Sequence, residues 1–483
     1  MAAERRPRES PEGTDETPSA DRDAENGEAP REVQIERERN PVARFFKLLG
    51  PGLITGAADD DPTAIGTYSA AGAAFGYVTL WTTLVTVPMM AAVQYISAKV
   101  ALVSGQGLGE LLREHYPRPI TFAALFALVI SNAITAGADL GAIAAAINLL
   151  APSIPIAPMV APIAAMILAL LILGSYDLIA NVFKWMALAL VTYIGAALLA
   201  RPDPIQALKG TFVPTISLDP QYLTLLVAML GTNVSAYLLF WQAAEELEEH
   251  PRQRRRRFSR RREHARGHVF GPRGEGQRPR RRAAAQQERA SAVELKYVEW
   301  DTIIGMIFSN VVLYFLNLAA AATLFAAGKH DVRSATDAAA ALRPLLGDLA
   351  TILFAVGLIG SGFIAVPVLA ASSAYALSEA FGWRGSLARP LTHAWRFYGV
   401  IAISMLGGMA LNFVGINPIS ALVFAAAING LMTPPLLVLV MLLANNRPLM
   451  GNRVNGIGSN VLGWLTTAAM FAAAIGLIYT LVI

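Results

Sequence analysis

Long apolar runs, separated by short polar stretches, dominate the chain from residue 50 to its end. A helix needs roughly 20 mostly apolar residues to cross a hydrocarbon core about 30 Å thick. Read at that length, the pattern predicts eleven membrane-spanning helices: 50–72, 78–103, 120–150, 156–174, 178–200, 221–243, 301–327, 349–380, 394–414, 417–444 and 460–482. The expected class is an all-α membrane protein. Polar residues gather in two places outside these runs. Residues 1–44 are rich in Glu, Arg, Pro and Asp and too poor in large apolar side chains to bury a core, so a disordered tail is expected. Residues 244–300 form a second charged stretch, an Arg-rich loop that divides the transmembrane segment 45–243 from the segment 301–483. Glu245, Glu246, Glu248 and Glu249 at its start read as the solvated end of the sixth helix.

Composition sharpens this picture. Of 483 residues 54% are hydrophobic and 15% charged, against about a quarter charged in a soluble domain. The tail lacks the short apolar core and small-residue cleavage site of a secretory signal, so the N-terminus is expected in the cytoplasm. Loops after even-numbered helices then carry most of the basic residues: Arg113 and Arg118, the run within 252–289, Arg384, Arg389 and Arg396, then Arg447 and Arg453. The opposite loops hold Arg201, Lys209, Lys329, Arg333 and Arg343. This bias predicts an inner-membrane, multi-pass protein with its N-terminus inside and its C-terminus outside. The same topology accounts for the net charge of +4 without a nucleic-acid partner. The absence of cysteine excludes disulfides and thiolate metal sites.

Two spans are interrupted. The first reads GPGLITGAADDDPTAIGTYSAAGAAFG, with Asp59, Asp60, Asp61 and Pro62 in its middle. The sixth carries Gly231-Thr232-Asn233-Val234-Ser235 in mid-span. Interrupted helices in matching positions of two halves point to a transporter whose site lies at the breaks, near the bilayer midplane. Each carboxylate at that depth costs about 2.5–3.5 kcal/mol on insertion scales, so three demand a cavity, a cation or protons. A divalent cation suits hard oxygen ligands. Pro62 removes a backbone donor and disfavours helix at Asp61, which frees carbonyls as further ligands. The expected site therefore has Asp61 as principal ligand and Asp59 and Asp60 beside it. Opposite stand the Thr232 carbonyl, Asn233 and Ser235. Asp139, a second deep acid, reads as a proton or ion-path residue, and Asn132 on the same helix is expected to share that role. Asn429 fits interhelical packing.

The stretch GPGLITGAADDDPTAIGTYSAAGAAFGYVTLW, followed by QYISAKVALVSGQGLGELLREHYP and AGADLGAIAAAINLL, resembles the first three helices of the natural-resistance-associated macrophage protein (Nramp) family of divalent-metal transporters. The resemblance covers roughly 45–445 and is strongest over 45–150. It implies the LeuT-type fold, two inverted five-helix repeats, here with one extra C-terminal helix. It also exposes departures. Thr63 and Ala64 stand where the family has Gly and Asn, Ser235 replaces a methionine, and Tyr237 replaces a histidine tied to proton movement. Asp139 matches an aspartate of the third helix, but Ala142 occupies a glutamate position. Thioether sulfur selects softer metals, so an all-oxygen site shifts preference towards Mg2+ or Mn2+. The resemblance thus implies a place near the Nramp-related magnesium and manganese transporters, and the loss of the histidine and the glutamate argues against family-type proton coupling.

Two other classes compete with a metal carrier. A transporter of the same fold could use the acids to hold an ammonium group of an amine or amino acid, although three aspartates would repel a substrate carboxylate. An enzyme is not expected: no HExxH, nucleophile elbow, P-loop or Cys/His cluster occurs, and none of the six histidines has ligand spacing within a span. No cofactor is implied, the cation being cargo. The expected partners are the lipid bilayer and a divalent cation, and the expected assembly is a monomer.

Overall fold

The computed structural model describes residues 51–174, 176–248, 292–331, 348–383, 385–413 and 418–482. The tail 1–44 and most of the loop 244–300 therefore lie outside the described residues. The described residues belong to one compact unit, Pro51–Ile483. Among them every regular element is a helix.

The first predicted span is two helices in line, α1 (Pro51–Asp59) and α2 (Pro62–Phe75). Next come α3 (Trp81–Ser104), a short α4 (Leu108–His115), α5 (Arg118–Leu150), α6 (Ile156–Leu173) and α7 (Tyr176–Leu199). After the short α8 (Pro204–Phe212), the sixth span is again split, into α9 (Pro220–Asn233) and α10 (236–248). α11 (Ala292–Ala320), α12 (Asp348–Phe381), α13 (Trp395–Ala410), α14 (Pro418–Ala444) and α15 (Ile457–Val482) complete the chain. Nine helices among the described residues are long and apolar enough to cross a membrane. The two remaining predicted spans are the broken pair α1–α2 and α7, of which Trp185–Leu199 is an apolar helical stretch. Many apolar side chains point outward, among them Leu173, Trp185, Ile403 and Phe424, as lipid-facing surface requires.

Each break has a local cause. Pro62 cannot donate to the carbonyl of Ala58 and sits at the first position of α2, where a missing N–H costs nothing. Asp61 caps α2: its backbone is extended (φ −66°, ψ 164°) and its Oδ1 accepts from the Ala64 amide at 2.6 Å. The second break has no proline. α9 ends where Val234 leaves helical geometry (φ −101°, ψ 64°). The Ser235 hydroxyl bonds back to the carbonyls of Gly231 (3.0 Å) and Thr232 (2.5 Å).

Glycine lets both broken helices sit close to their neighbours. A Cβ on Gly56 of α1 would lie 2.2 Å from the Gly305 carbonyl oxygen of α11, and one on Gly231 of α9 2.5 Å from the Gly430 amide nitrogen of α14. Backbones meet directly there, the close approach by which small residues join helices in lipid.

One expectation is corrected by the fold. Glu245 and Glu246 are not solvated; they are 5% and 6% exposed. α10 continues through Glu248, and one turn of it aligns Gln242, whose amide donates to Glu246 Oε1 at 3.0 Å. Gln242 also accepts from Thr55 of α1, so this stretch belongs to the interior. Glu248 accepts from the Tyr375 hydroxyl of α12, and Glu249 lies outside the described residues.

Candidate functional site

Every residue from Ile54 to Ser69 is buried, and Asp59, Asp60 and Asp61 are at most 1% exposed. The three acids do not point one way. Asp59 and Asp60 turn to α11, where the Ser309 hydroxyl lies 2.7 Å from Asp59 Oδ2 and 2.8 Å from Asp60 Oδ1. One hydroxyl proton cannot serve two carboxylates at once. Their other oxygens, Asp59 Oδ1 and Asp60 Oδ2, are buried without a hydrogen-bond partner.

Asp61 has a different environment. With Oδ1 capping α2, its Oδ2 lies 3.3 Å from the Tyr237 hydroxyl of α10, which donates to the Ala58 carbonyl at 2.9 Å. Two residues on, the Thr63 hydroxyl donates to Asp139 Oδ1 of α5 at 2.8 Å, leaving Asp139 Oδ2 without a partner. The start of α2 thus ties α5 and α10 together around Asp61. Among the described residues no cationic side chain forms an ion pair with Asp59, Asp60, Asp61 or Asp139.

The second break supplies a neutral wall. Asn233 Nδ2 donates to the Tyr68 hydroxyl (2.7 Å) and to Thr86 Oγ1 (2.9 Å), and Thr86 donates to Asn310 Oδ1 (2.7 Å). That network consumes the amide protons and leaves Asn233 Oδ1 buried and unpartnered. The Thr232 side chain bonds to the Met229 carbonyl (3.0 Å), while its own carbonyl accepts from Ser235. Asn132 sits two turns before Asp139, where its amide joins α5 to Ser373 of α12 (2.9 Å) and its Oδ1 is left over. Asn429 bridges Ser131 and Thr135 of α5 from α14, the packing contact its position suggests.

The expected ligand Asp61 and the expected ion-path residues Tyr237 and Asp139 are thus brought together, Asp139 through Thr63. Asp59 and Asp60 form a separate pair on Ser309, and Ser235 folds back on its own helix. No three His, Cys, Asp or Glu side chains converge to hold a metal among the described residues. The physical reason is the break itself: adjacent residues leaving one helix and starting another project in different directions. The region offers a set of buried oxygen acceptors with too few protons, a chemistry completed by a hydrated cation or by added protons. Thr63, Tyr68, Thr86, Ser309 and Asn310 carry no sequence signal of their own. A lone Ser or Thr in an apolar helix reads as packing, and their partners lie far along the chain.

Comparison with known proteins bears on the whole chain. The family described as natural resistance-associated macrophage protein-like matches residues 52–480. A divalent metal cation transporter MntH of Deinococcus radiodurans is 27% identical over 435 residues, 89% of each chain. One of Klebsiella pneumoniae is 24% identical, over 90% of this chain and 95% of that one. Among solved structures, a manganese transporter of Eremococcus coleocola superposes with a TM-score of 0.67 at 18% identity, over 92% of this chain and 89% of the other. Mhp1, a nucleobase-cation-symport-1 family transporter, does so with a TM-score of 0.53 at 13% identity, over 89% and 91%. Those likenesses show the shared LeuT-type fold.

Proposed function

The chain belongs to the natural resistance-associated macrophage protein-like (Nramp) family, and from that premise we propose that it carries divalent cations, Mn2+ and Mg2+, across the inner membrane by alternating access at the two helix breaks. The observation that carries the proposal is a set of buried carboxylate and amide oxygens at both breaks that lack protons or partners: Asp59 Oδ1, Asp60 Oδ2, Asp139 Oδ2 and Asn233 Oδ1. The curated relatives named above, divalent metal cation transporters, support the choice of cargo.

In this reading Asp61 is the principal ligand. The Ala64 amide fixes one oxygen of its carboxylate, and the other, 3.3 Å from the Tyr237 hydroxyl, is left to meet a cation. The unpartnered Asn233 oxygen and the Thr232 carbonyl at the second break serve as neutral ligands, and Asp59 and Asp60 supply negative charge from the Ser309 side. With so few protein ligands converging, the ion keeps part of its water shell, as Mg2+ and Mn2+ in octahedral oxygen sites do. No thioether favours a softer metal, because Ser235 stands at the sulfur position of the family pattern. Tyr237 at the histidine position offers a hydroxyl already donated to Ala58, so an imidazole-based proton relay is missing. Transport then proceeds without a stoichiometric proton, by a monomer with its N-terminus in the cytoplasm.

Proteoliposomes loaded with a pH-sensitive dye test this reading. Mn2+ and Mg2+ should enter down their gradients while internal pH stays constant. Acidification that follows the metal would overturn the uncoupled mechanism, and absence of both fluxes would overturn the cargo.

A further inference from the structure

Away from the helix breaks, the loop between α12 and α13 gathers aromatic rings around one arginine. Phe381, the last residue of α12, stacks on Trp383 (ring centroids 4.8 Å apart, planes 14° apart). The Arg396 guanidinium carbon lies 5.4 Å from the Trp383 ring centre and 5.2 Å from that of Trp395. Two indoles thus fix the orientation of one planar cation by cation–π contact. Phe381 also meets Phe122 of α5 at 5.0 Å, and Arg118 begins that helix one turn earlier.

Position gives this cluster its meaning. Thr351–Phe381 and Trp395–Phe413 are both candidate membrane spans, so Phe381, Trp383, Trp395 and Arg396 stand where two spans meet the membrane surface. Tryptophan is enriched at that depth because its ring is apolar and its N–H is not. The cluster faces outward: Trp395 is 65% and Phe381 43% exposed. Among the described residues no carboxylate forms an ion pair with Arg396. A guanidinium oriented by two indole rings, with no carboxylate paired to it among the described residues, has N–H groups free to meet an anion beside the acyl-chain region. The shape matches a phosphate oxygen pair, which guanidinium binds in bidentate fashion.

We propose that Arg396, set between Trp383 and Trp395, is a binding site for the headgroup of an anionic phospholipid, whose acyl chains lie along the apolar edge formed by Phe381, Phe122 and the exposed Phe126, one turn further along α5 and 6.3 Å from Phe122. Arg118, one turn before Phe122, and Arg389, whose carbonyl accepts from Tyr398 of α13, add positive charge on the same side. The loop is also tied to the transport core: the Leu387 amide donates to the Tyr375 hydroxyl at 3.1 Å, and that hydroxyl donates to Glu248 at the end of α10.

Native mass spectrometry of the full chain, released from bilayers of mixed phosphatidylglycerol and phosphatidylcholine, tests the site. Wild type should retain one phosphatidylglycerol in preference to phosphatidylcholine. Arg396→Gln should weaken that retention about fivefold, near the worth of one interfacial cation. Arg396→Lys, which keeps the charge but loses the planar stack, should fall between the two. Arg447→Gln, in another basic loop, should behave as wild type. Equal retention by wild type and Arg396→Gln would overturn the proposal. So would equal loss in Arg447→Gln, which would mean diffuse surface charge, or displacement of the lipid by inorganic phosphate, which would mean a free-anion site.

Discussion

At the scale of single residues, Ser309 holds the least expected position. Its hydroxyl stands between Asp59 and Asp60, two buried carboxylates that no cationic side chain among the described residues neutralises. Removing it leaves acceptors that already lack protons with one partner fewer, a loss of about 1–3 kcal/mol for a buried polar group. Ser309→Ala should therefore lower the unfolding temperature measured in detergent without metal, and saturating Mg2+ should recover part of the loss by supplying counter-charge. An equal loss with and without metal would detach this pair from the cation. Ser235 makes a second residue-level case. Ser235→Met introduces a thioether, so competition uptake should shift from Mg2+ towards Mn2+. An unchanged ratio would separate this position from selectivity. Asp59–Asp61 are legible in the sequence because charge in an apolar run is visible without a partner. Ser309 and Thr63 are not, since their roles depend on Asp59, Asp60 and Asp139 being brought to them by the fold.

At the scale of elements, the two breaks differ in how openly the sequence declares them. Pro62 beside three acids marks the first without ambiguity, since the ring removes a helix bond and Asp61 caps α2. The second relies on Val234 and on Ser235 bonding backwards, with only Gly231 and Asn233 as outward signs. The end of the sixth span misleads for a related reason: four glutamates suggest water, yet Gln242 and Tyr375 give Glu246 and Glu248 partners. Likewise α11 is already helical at Ala292, ahead of the apolar run from residue 301, so apolar length alone does not mark the helix. Pro62→Ala restores a backbone donor and permits α1 and α2 to join. The variant should fold at least as stably as the wild type by thermal denaturation while metal uptake falls by tenfold or more, taking about 1.4 kcal/mol per decade. Gly231→Leu should act oppositely. Its Cβ would meet the backbone of Gly430 at 2.5 Å, so folded yield itself should collapse.

At the scale of the whole molecule, the helical class and the family follow from apolar lengths and from the motifs of the first three helices. Side-chain directions do not, and they decide the chemistry. Adjacent aspartates read as one cluster in the sequence, whereas the fold divides them between Ser309 on one side and Tyr237 with the Thr63–Asp139 link on the other. In the proposed reading, that division leaves Asp61, joined to three helices, as the ligand and Asp59 and Asp60 as its flank. The most direct test of this account compares wild type, Asp61→Ala and Asp59→Ala for Mn2+ and Mg2+ uptake into proteoliposomes at saturating and sub-saturating metal. Asp61→Ala should lose about a hundredfold or more of flux for both ions, while Asp59→Ala should raise the half-saturating concentration and keep most of the maximal rate. Wild-type flux through Asp61→Ala, or abolition by Asp59→Ala alone, would contradict it.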